Sequence, residues 1–359
     1  MNRHTQAMEI LKQGTVIPAT PLALNAGRQL DARRQRALMR YYLDAGAGGI
    51  ATAVHTTQFE IHSPETGLLE PVLSIVSEEI ERFEKARGQV IVRVAGVCGG
   101  TEQAVTEARL ARKYHYDAVL LSPGGLEQLD EEALIARTKA VAAVLPVIGF
   151  YLQPSVGGRK FSYNYWEQIV EIPEVAAIKA APFNRYMTLD VARAVALSSR
   201  WEEIALYTGN DDNIVYDLMT EYRFGNRVKR FAGGLLGHWS VWTKKAVEIF
   251  ELCKRPEVPA PSEAPAPRED LTRLCVLAGE VTDANAAFFD AANGFKGCIA
   301  GLHEVLRRQG LLKGLWLLNP QETLSPGQME EIDRVYAMYP HLNDDAFISE
   351  NLEKWLNGD

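Results

Sequence analysis

The chain has 359 residues, of which 47% are apolar, 23% charged and 9% aromatic, enough to bury a sizeable core in one large α/β domain with an appendage, or in two domains. A net charge of -8 and a pI near 5.5 leave no basic excess to neutralise phosphates, which excludes a nucleic-acid binder as the expected class. No stretch approaches the roughly 18 apolar residues of a membrane span, and the N-terminal M-N-R-H-T-Q-A-M-E-I-L-K lacks the apolar run of a signal peptide.

Short apolar runs alternate with longer amphipathic ones from residue 15 onward. Thr15 to Thr20 reads as a strand closed by Pro21, and a helix follows from the N-cap Asp31 to Leu43, ending at A-G-A-G-G. Gly49–Val54 is a second strand and Glu70–Arg87 a second helix. Val90–Val97 and the helix Thr101–Tyr114 form the third unit; Ala118–Ser122 and Asp130–Val144 form the fourth. Pro146–Leu152 and Tyr163–Ile172 make the fifth. Val175–Ala181 is the sixth strand, followed by the helix Thr188–Ser198. Ile204–Thr208 with Asp211–Phe224, then Arg230–Leu236 with Ser240–Leu252, complete the series.

Eight strand–helix units in about 240 residues are the count and length of a (β/α)8 TIM barrel; a doubly wound sheet is the alternative. Residues 1–255 are assigned to the barrel, and 256–267, P-E-V-P-A-P-S-E-A-P-A-P, to a proline-rich connector. Residues 268–359 carry helical patterns at Glu269–Ala292, Lys296–Gln309, Ser325–Met338 and near the C-terminus, read as a helical appendage. Four scattered cysteines, Cys98, Cys253, Cys275 and Cys298, form no C-x-x-C pair, so reduced thiols and a cytoplasmic location are expected.

The sixth strand holds the most unusual residue. In V-A-A-I-K-A-A, Lys179 sits among small and branched apolar neighbours, and lysine is rarely buried without a partner or a purpose. Apolar surroundings disfavour its ammonium form and leave a free amine, the requirement for a Schiff-base nucleophile. A lysine that snorkels to solvent from a strand end is the competing reading.

Other candidates lie where a barrel collects its active site, after the strand C-termini. Tyr151, on the neighbouring strand and expected to point inward, could relay protons. Thr56 and Thr57 could hold a carboxylate, with His55 and Gln58 beside them and Gly209 and Asn210 after the seventh strand. Tyr151 could equally be a core tyrosine, Thr56-Thr57 a helix cap, and Asp211-Asp212 an ordinary helix N-terminus. The seven histidines form no metal-ligand pair, and an iminium is its own electron sink, so neither metal nor cofactor is expected.

Together these motifs resemble the dihydrodipicolinate synthase / N-acetylneuraminate lyase family of Schiff-base lyases and aldolases, over nearly the whole chain. A-I-K matches the family's G-I-K, with Lys179 as imine lysine. Y-L-Q-P matches Y-N-x-P, with Tyr151 as catalytic tyrosine, 28 residues before the lysine. H-T-T-Q-F-E loosely matches the carboxylate-binding G-T-T-G-E, so Thr56 and Thr57 carry over, and G-N-D resembles the loop after strand seven.

The chain also departs from the pattern. His55 and Gln58 replace two glycines, P-G-G with Gly124 and Gly125 replaces P-Y-Y, and Val156 stands where the synthases carry an arginine. Dihydrodipicolinate synthase activity itself is therefore not expected. The resemblance implies an aldolase, hydratase-aldolase or dehydratase acting on a 2-oxo acid such as pyruvate or a sugar-acid-like substrate, assembled as a homo-oligomer, dimer or tetramer. A barrel that binds a small metabolite as a sensor or regulatory subunit is the alternative; an unperturbed Lys179, near pKa 10.4, would favour it.

Overall fold

The computed structural model describes residues 1–254 and 268–358. It opens with a helix that the sequence reading did not anticipate: α1 (Arg3–Gln13), capped by the Asn2 side chain, which accepts from the Thr5 N–H at 2.8 Å. Ala7 and Leu11 of α1 join the apolar cluster inside the barrel, and Arg3 pairs with Glu84 and Asp117. The helix thereby closes the end of the barrel at which the strands begin.

The eight units then follow in the expected order: β1 (Val16–Pro18), α2 (Ala32–Ala45), β2 (Gly49–Thr52), α3 (Leu69–Arg87), β3 (Val92–Val97), α4 (Thr101–Lys113), β4 (Ala118–Leu121), α5 (Glu131–Ala142), β5 (Val147–Leu152), α6 (Tyr163–Val170), β6 (Val175–Ala181), α7 (Arg185–Leu197), β7 (Ala205–Thr208) and α8 (Ile214–Met219). Before the last barrel strand comes a small antiparallel hairpin, β8 (Tyr222–Phe224) and β9 (Arg227–Lys229), then β10 (Phe231–Leu236) and α9 (Thr243–Lys254). The hairpin corrects the reading of one helix over Asp211–Phe224. Gly225 takes φ +63° in the two-residue turn between Phe224 and Arg227, a geometry that favours a hairpin and ends helix propagation.

All eight barrel strands are parallel, in the order β1-β10-β7-β6-β5-β4-β3-β2, and a parallel bridge between Ala19 and Ala51 brings the two ends together. This is a (β/α)8 TIM barrel. Strands buried on both faces favour apolar residues, which is why they read as nearly continuous runs; the exception in β3, Arg93, is buried and paired with Glu84. The inner faces form one cluster, including Ile17, Val94, Ile148, Phe150 and Leu152; the outer faces pack against the helices in a second.

Beyond the barrel lie α10 (Arg268–Phe288), α11 (Cys298–Arg308), α12 (Gln328–Met338) and α13 (Asp345–Asn357). α10 packs on α8 and α12, and α13 on α2, where Trp355 is buried and donates from Nε1 to Asp44 at 2.8 Å. The proline-rich connector expected at 256–267 lies outside the described residues. Among the described residues no helix is long and apolar enough to cross a membrane.

Candidate active site

The β5–β6–β7 register sets Lys179 level with Phe150 on one side and Tyr207 on the other. Lys179 is 7% exposed, and its Nζ lies 4.5 Å from the centre of the Phe150 ring. Among the described residues it makes no ion pair within 4 Å, and the charge that acts on it is that of Asp211. Its side chain opens into a pocket at the C-terminal mouth of the barrel, walled by Val54, Leu120, Phe150 and Leu152. Burial pulls the ammonium down from the ordinary lysine range, and the Asp211 carboxylate opposes that without cancelling it. The same burial holds the Asp211 carboxyl well above the usual carboxylate range; the His238 N–H, donating at 2.8 Å, and the Lys179 charge act against this. A buried amine and a buried carboxyl thus face one pocket, each displaced toward its neutral form.

His55 stands on the same wall. Burial, reinforced by the Lys179 charge, pulls it down to about 4, so it is a neutral imidazole near pH 7. Thr56 lines the pocket too, but its hydroxyl donates to the Ala19 carbonyl at 2.7 Å. Gly209 follows β7 against the lysine, where a Cβ would lie 2.4 Å from Lys179 Cε.

Four of the eight residues expected from the sequence therefore share the pocket: Lys179, His55, Thr56 and Gly209. The other four do not line it. The expectation that Tyr151 points inward is corrected, because the pleat of β5 turns Phe150 and Leu152 into the barrel and Tyr151 out toward α6. Its ring packs on Phe161 and Trp166 at 5.4 and 5.2 Å, and its hydroxyl accepts from the Phe161 N–H at 3.3 Å.

Thr57 donates to the Thr20 carbonyl at 2.7 Å, and its N–H bonds to Val54, so it braces the turn after β2 and has no donor free for a carboxylate. Gln58, at φ +71°, accepts from the Leu318 N–H and ties that turn to the C-terminal region. Asn210 is fully buried; it accepts from Phe183 N–H and donates to Thr188 and Asp217, which orders the loop without entering the pocket.

Asp217 anchors that loop. It accepts from Thr208 at 2.6 Å, Asn210 at 2.9 Å, Asn213 at 3.2 Å and Tyr222 at 3.2 Å, and pairs with Arg185. Asp211, read from the sequence as a helix N-terminus, instead lines the pocket, and α8 begins only at Ile214 behind Asn213. Phe289, Phe295 and Cys298 complete the mouth from the C-terminal region. More than 100 residues separate them from Lys179, and no local pattern marks them. Among the described residues no group of three or more His, Cys, Asp or Glu is arranged to hold a metal ion.

Comparison with known proteins yields a consistent set of matches. Residues 12–221 match the model of the dihydrodipicolinate synthetase family. The chain is 24% identical over 246 residues to N-acetylneuraminate lyase 2 of Escherichia coli O6:H1, covering 68% of this chain and 73% of that protein. It is 28% identical over 201 residues to the 4-hydroxy-tetrahydrodipicolinate synthase of Staphylococcus saprophyticus, covering 55% and 62%. The crystal structure of dihydrodipicolinate synthase from Oceanobacillus iheyensis superposes with a TM-score of 0.73 at 15% identity, over 93% of this chain and 99% of that one.

Proposed function

This chain belongs to the dihydrodipicolinate synthetase family, and from that premise we propose that it is an imine-forming lyase, with Lys179 as its nucleophile and a carbonyl compound of the 2-oxo acid type as substrate. The observation that carries the reading is the buried Lys179, without an ion pair within 4 Å among the described residues, opening into the pocket with its pKa displaced downward by burial. A fully solvated lysine at pH 7 would be almost wholly protonated and a poor nucleophile.

In the proposed sequence the Lys179 amine adds to the carbonyl carbon, forming an N–C bond and a carbinolamine. Protonation of the carbinolamine oxygen then lets it leave as water, giving the protonated imine. The imine accepts the electron pair released when a neighbouring carbon–carbon bond breaks or an adjacent carbon–hydrogen bond gives up its proton, and an enamine results; in a dehydration the enamine pair then expels the next carbon's hydroxyl, which leaves as water once protonated. Protonation at carbon and addition of water return the free amine. Asp211 is the group best suited to move these protons, because burial favours its carboxylic acid form and it faces the lysine. His55, neutral at pH 7, can accept or donate a hydrogen bond across the same pocket.

The test is borohydride reduction in the presence of pyruvate and larger 2-oxo acids, with peptide mass spectrometry. A reduced adduct on the Lys179 peptide, absent in Lys179→Ala, is the expected result. Turnover retained by Lys179→Ala on a substrate that the wild type processes would remove the proposal.

A further inference from the structure

Besides Phe150 beneath Lys179, the pocket is lined by aromatic rings delivered by three separate chain segments. Phe183 follows β6, Phe289 follows α10, and Phe295 sits in the turn before α11. Phe183 and Phe295 both hold left-handed backbone, φ +51° and +68°, which a bulky residue adopts only where its surroundings enforce it. Their rings meet edge to face at 5.6 Å.

The turn that carries Phe295 is held by Asp290, which accepts from the Gly297 N–H at 2.9 Å, from Asn293 at 2.6 Å and from Ser325 at 2.5 Å. On the opposite side Phe289 reaches the barrel mouth because residue 237 is glycine; a Cβ there would lie 2.8 Å from Phe289 Cζ and 3.1 Å from Thr56 Cγ2.

Lys179, His55 and Asp211 interact with one another at the reacting end; among the other described lining residues, only Thr56 and Gln153 carry strongly hydrogen-bonding side chains, with the Cys298 thiol a weak donor. Thr56 has already donated its hydroxyl to Ala19, and one Asp211 oxygen already accepts from His238. Among the described residues Gln153 supplies the one side-chain amide of the lining, and no arginine lines it. A polyhydroxylated chain would leave hydroxyls against ring carbon, where each loses its water without replacement. A planar apolar group would instead stack and meet ring edges.

Resting on the imine chemistry proposed above, we infer that the non-reacting end of the substrate is an aromatic or bulky apolar group enclosed by Phe183, Phe289 and Phe295. Substrates with sugar-like chains are thereby disfavoured.

Two measurements separate this inference from the chemistry on which it rests. Titration calorimetry with 4-phenyl-2-oxobutanoate and with a trihydroxylated six-carbon 2-oxo acid reads the pocket whether or not an imine forms. Borohydride trapping with the same two acids reads the imine. The phenyl acid should bind at least ~10-fold more tightly. Phe295→Ser should reduce that preference to under about threefold, and Phe295→Leu should keep most of it, with circular dichroism establishing that both variants are folded. A preference that survives while trapping fails would remove the imine and leave the aromatic enclosure standing. Equal or tighter binding of the hydroxylated acid, or a preference unchanged in Phe295→Ser, would overturn the inference.

Discussion

Gly209 and Lys179 divide one space between them: a Cβ on the glycine would lie 2.4 Å from Cε of the lysine and 2.8 Å from Cβ of Ala181. The lysine can lie along the mouth of the barrel because the residue after β7 has no side chain. Gly209→Ala should therefore displace the amine, lowering the rate of imine formation about 100-fold, since a shift near 1 Å is enough to misalign a nucleophile. The overpacking should cost about 1–3 kcal/mol. Trapping rate and thermal unfolding measure the two effects, and an alanine variant with the wild-type rate would show that the lysine has another route to the pocket.

The pH profile of trapping follows from burial. Lys179 reacts as the free amine, so the rate should rise with pH through a midpoint below the ordinary lysine value of about 10.4. The Asp211 charge favours the ammonium, so Asp211→Asn should move that midpoint to still lower pH, while the loss of the proton carrier lowers the maximal rate about 100-fold. The asparagine oxygen can still accept from the His238 N–H, which preserves the loop. A midpoint near 10.4, or one that moves upward in the variant, contradicts this account.

Tyr151→Phe distinguishes the residue that the motif suggests from the one that the pleat presents. Its hydroxyl accepts only the Phe161 N–H among the described residues, outside the pocket. Removing it should cost about 1 kcal/mol in stability and leave trapping within about threefold of wild type. A hundredfold slower variant would mean that Tyr151 turns inward when substrate binds.

The barrel was legible because strands buried on both faces read as apolar runs, and because glycines and capping residues such as Asp31 separate them from helices. Lys179 was legible for the opposite reason, as a charge that violates such a run. What escaped depends on tertiary context. The direction of Tyr151 is a matter of pleat phase, and a one-residue slip exchanges it with Phe150. Asp211 was concealed by an ordinary alternative role, since a carboxylate before a helix needs no further explanation. Helix α1 was passed over because its apolar residues, Ala7, Met8, Ile10 and Leu11, are confined to about one turn of a short polar segment, and its purpose becomes visible against the barrel floor. Phe289 and Phe295 reach the pocket through packing of the C-terminal region, which no spacing rule encodes.

A buried pair on the outer side of the barrel gives a prediction about stability alone. His62 Nδ1 lies 3.0 Å from Glu107 Oε2 and its Nε2 lies 2.8 Å from the Ala53 carbonyl, so acceptors face both ring nitrogens, as in an imidazolium. Burial would lower its pKa, but proximity to Cys98 and the bond to Glu107 outweigh burial and raise it to about 10. A folded pKa above the unfolded value of about 6.5 means that folding takes up a proton between the two. The stabilisation is thus complete below about pH 6.5 and falls away as pH rises toward 10. Glu107→Gln should cost about 3 kcal/mol in urea unfolding at pH 6, because it leaves the imidazolium buried without its counter-charge. The penalty should shrink at about pH 10, where the wild-type histidine is itself losing its proton. Glutamine can still accept the Cys98 N–H that Glu107 receives at 2.8 Å, so the turn itself is spared. An equal penalty at both pH values would make Glu107 a packing and hydrogen-bonding residue with no ionic contribution.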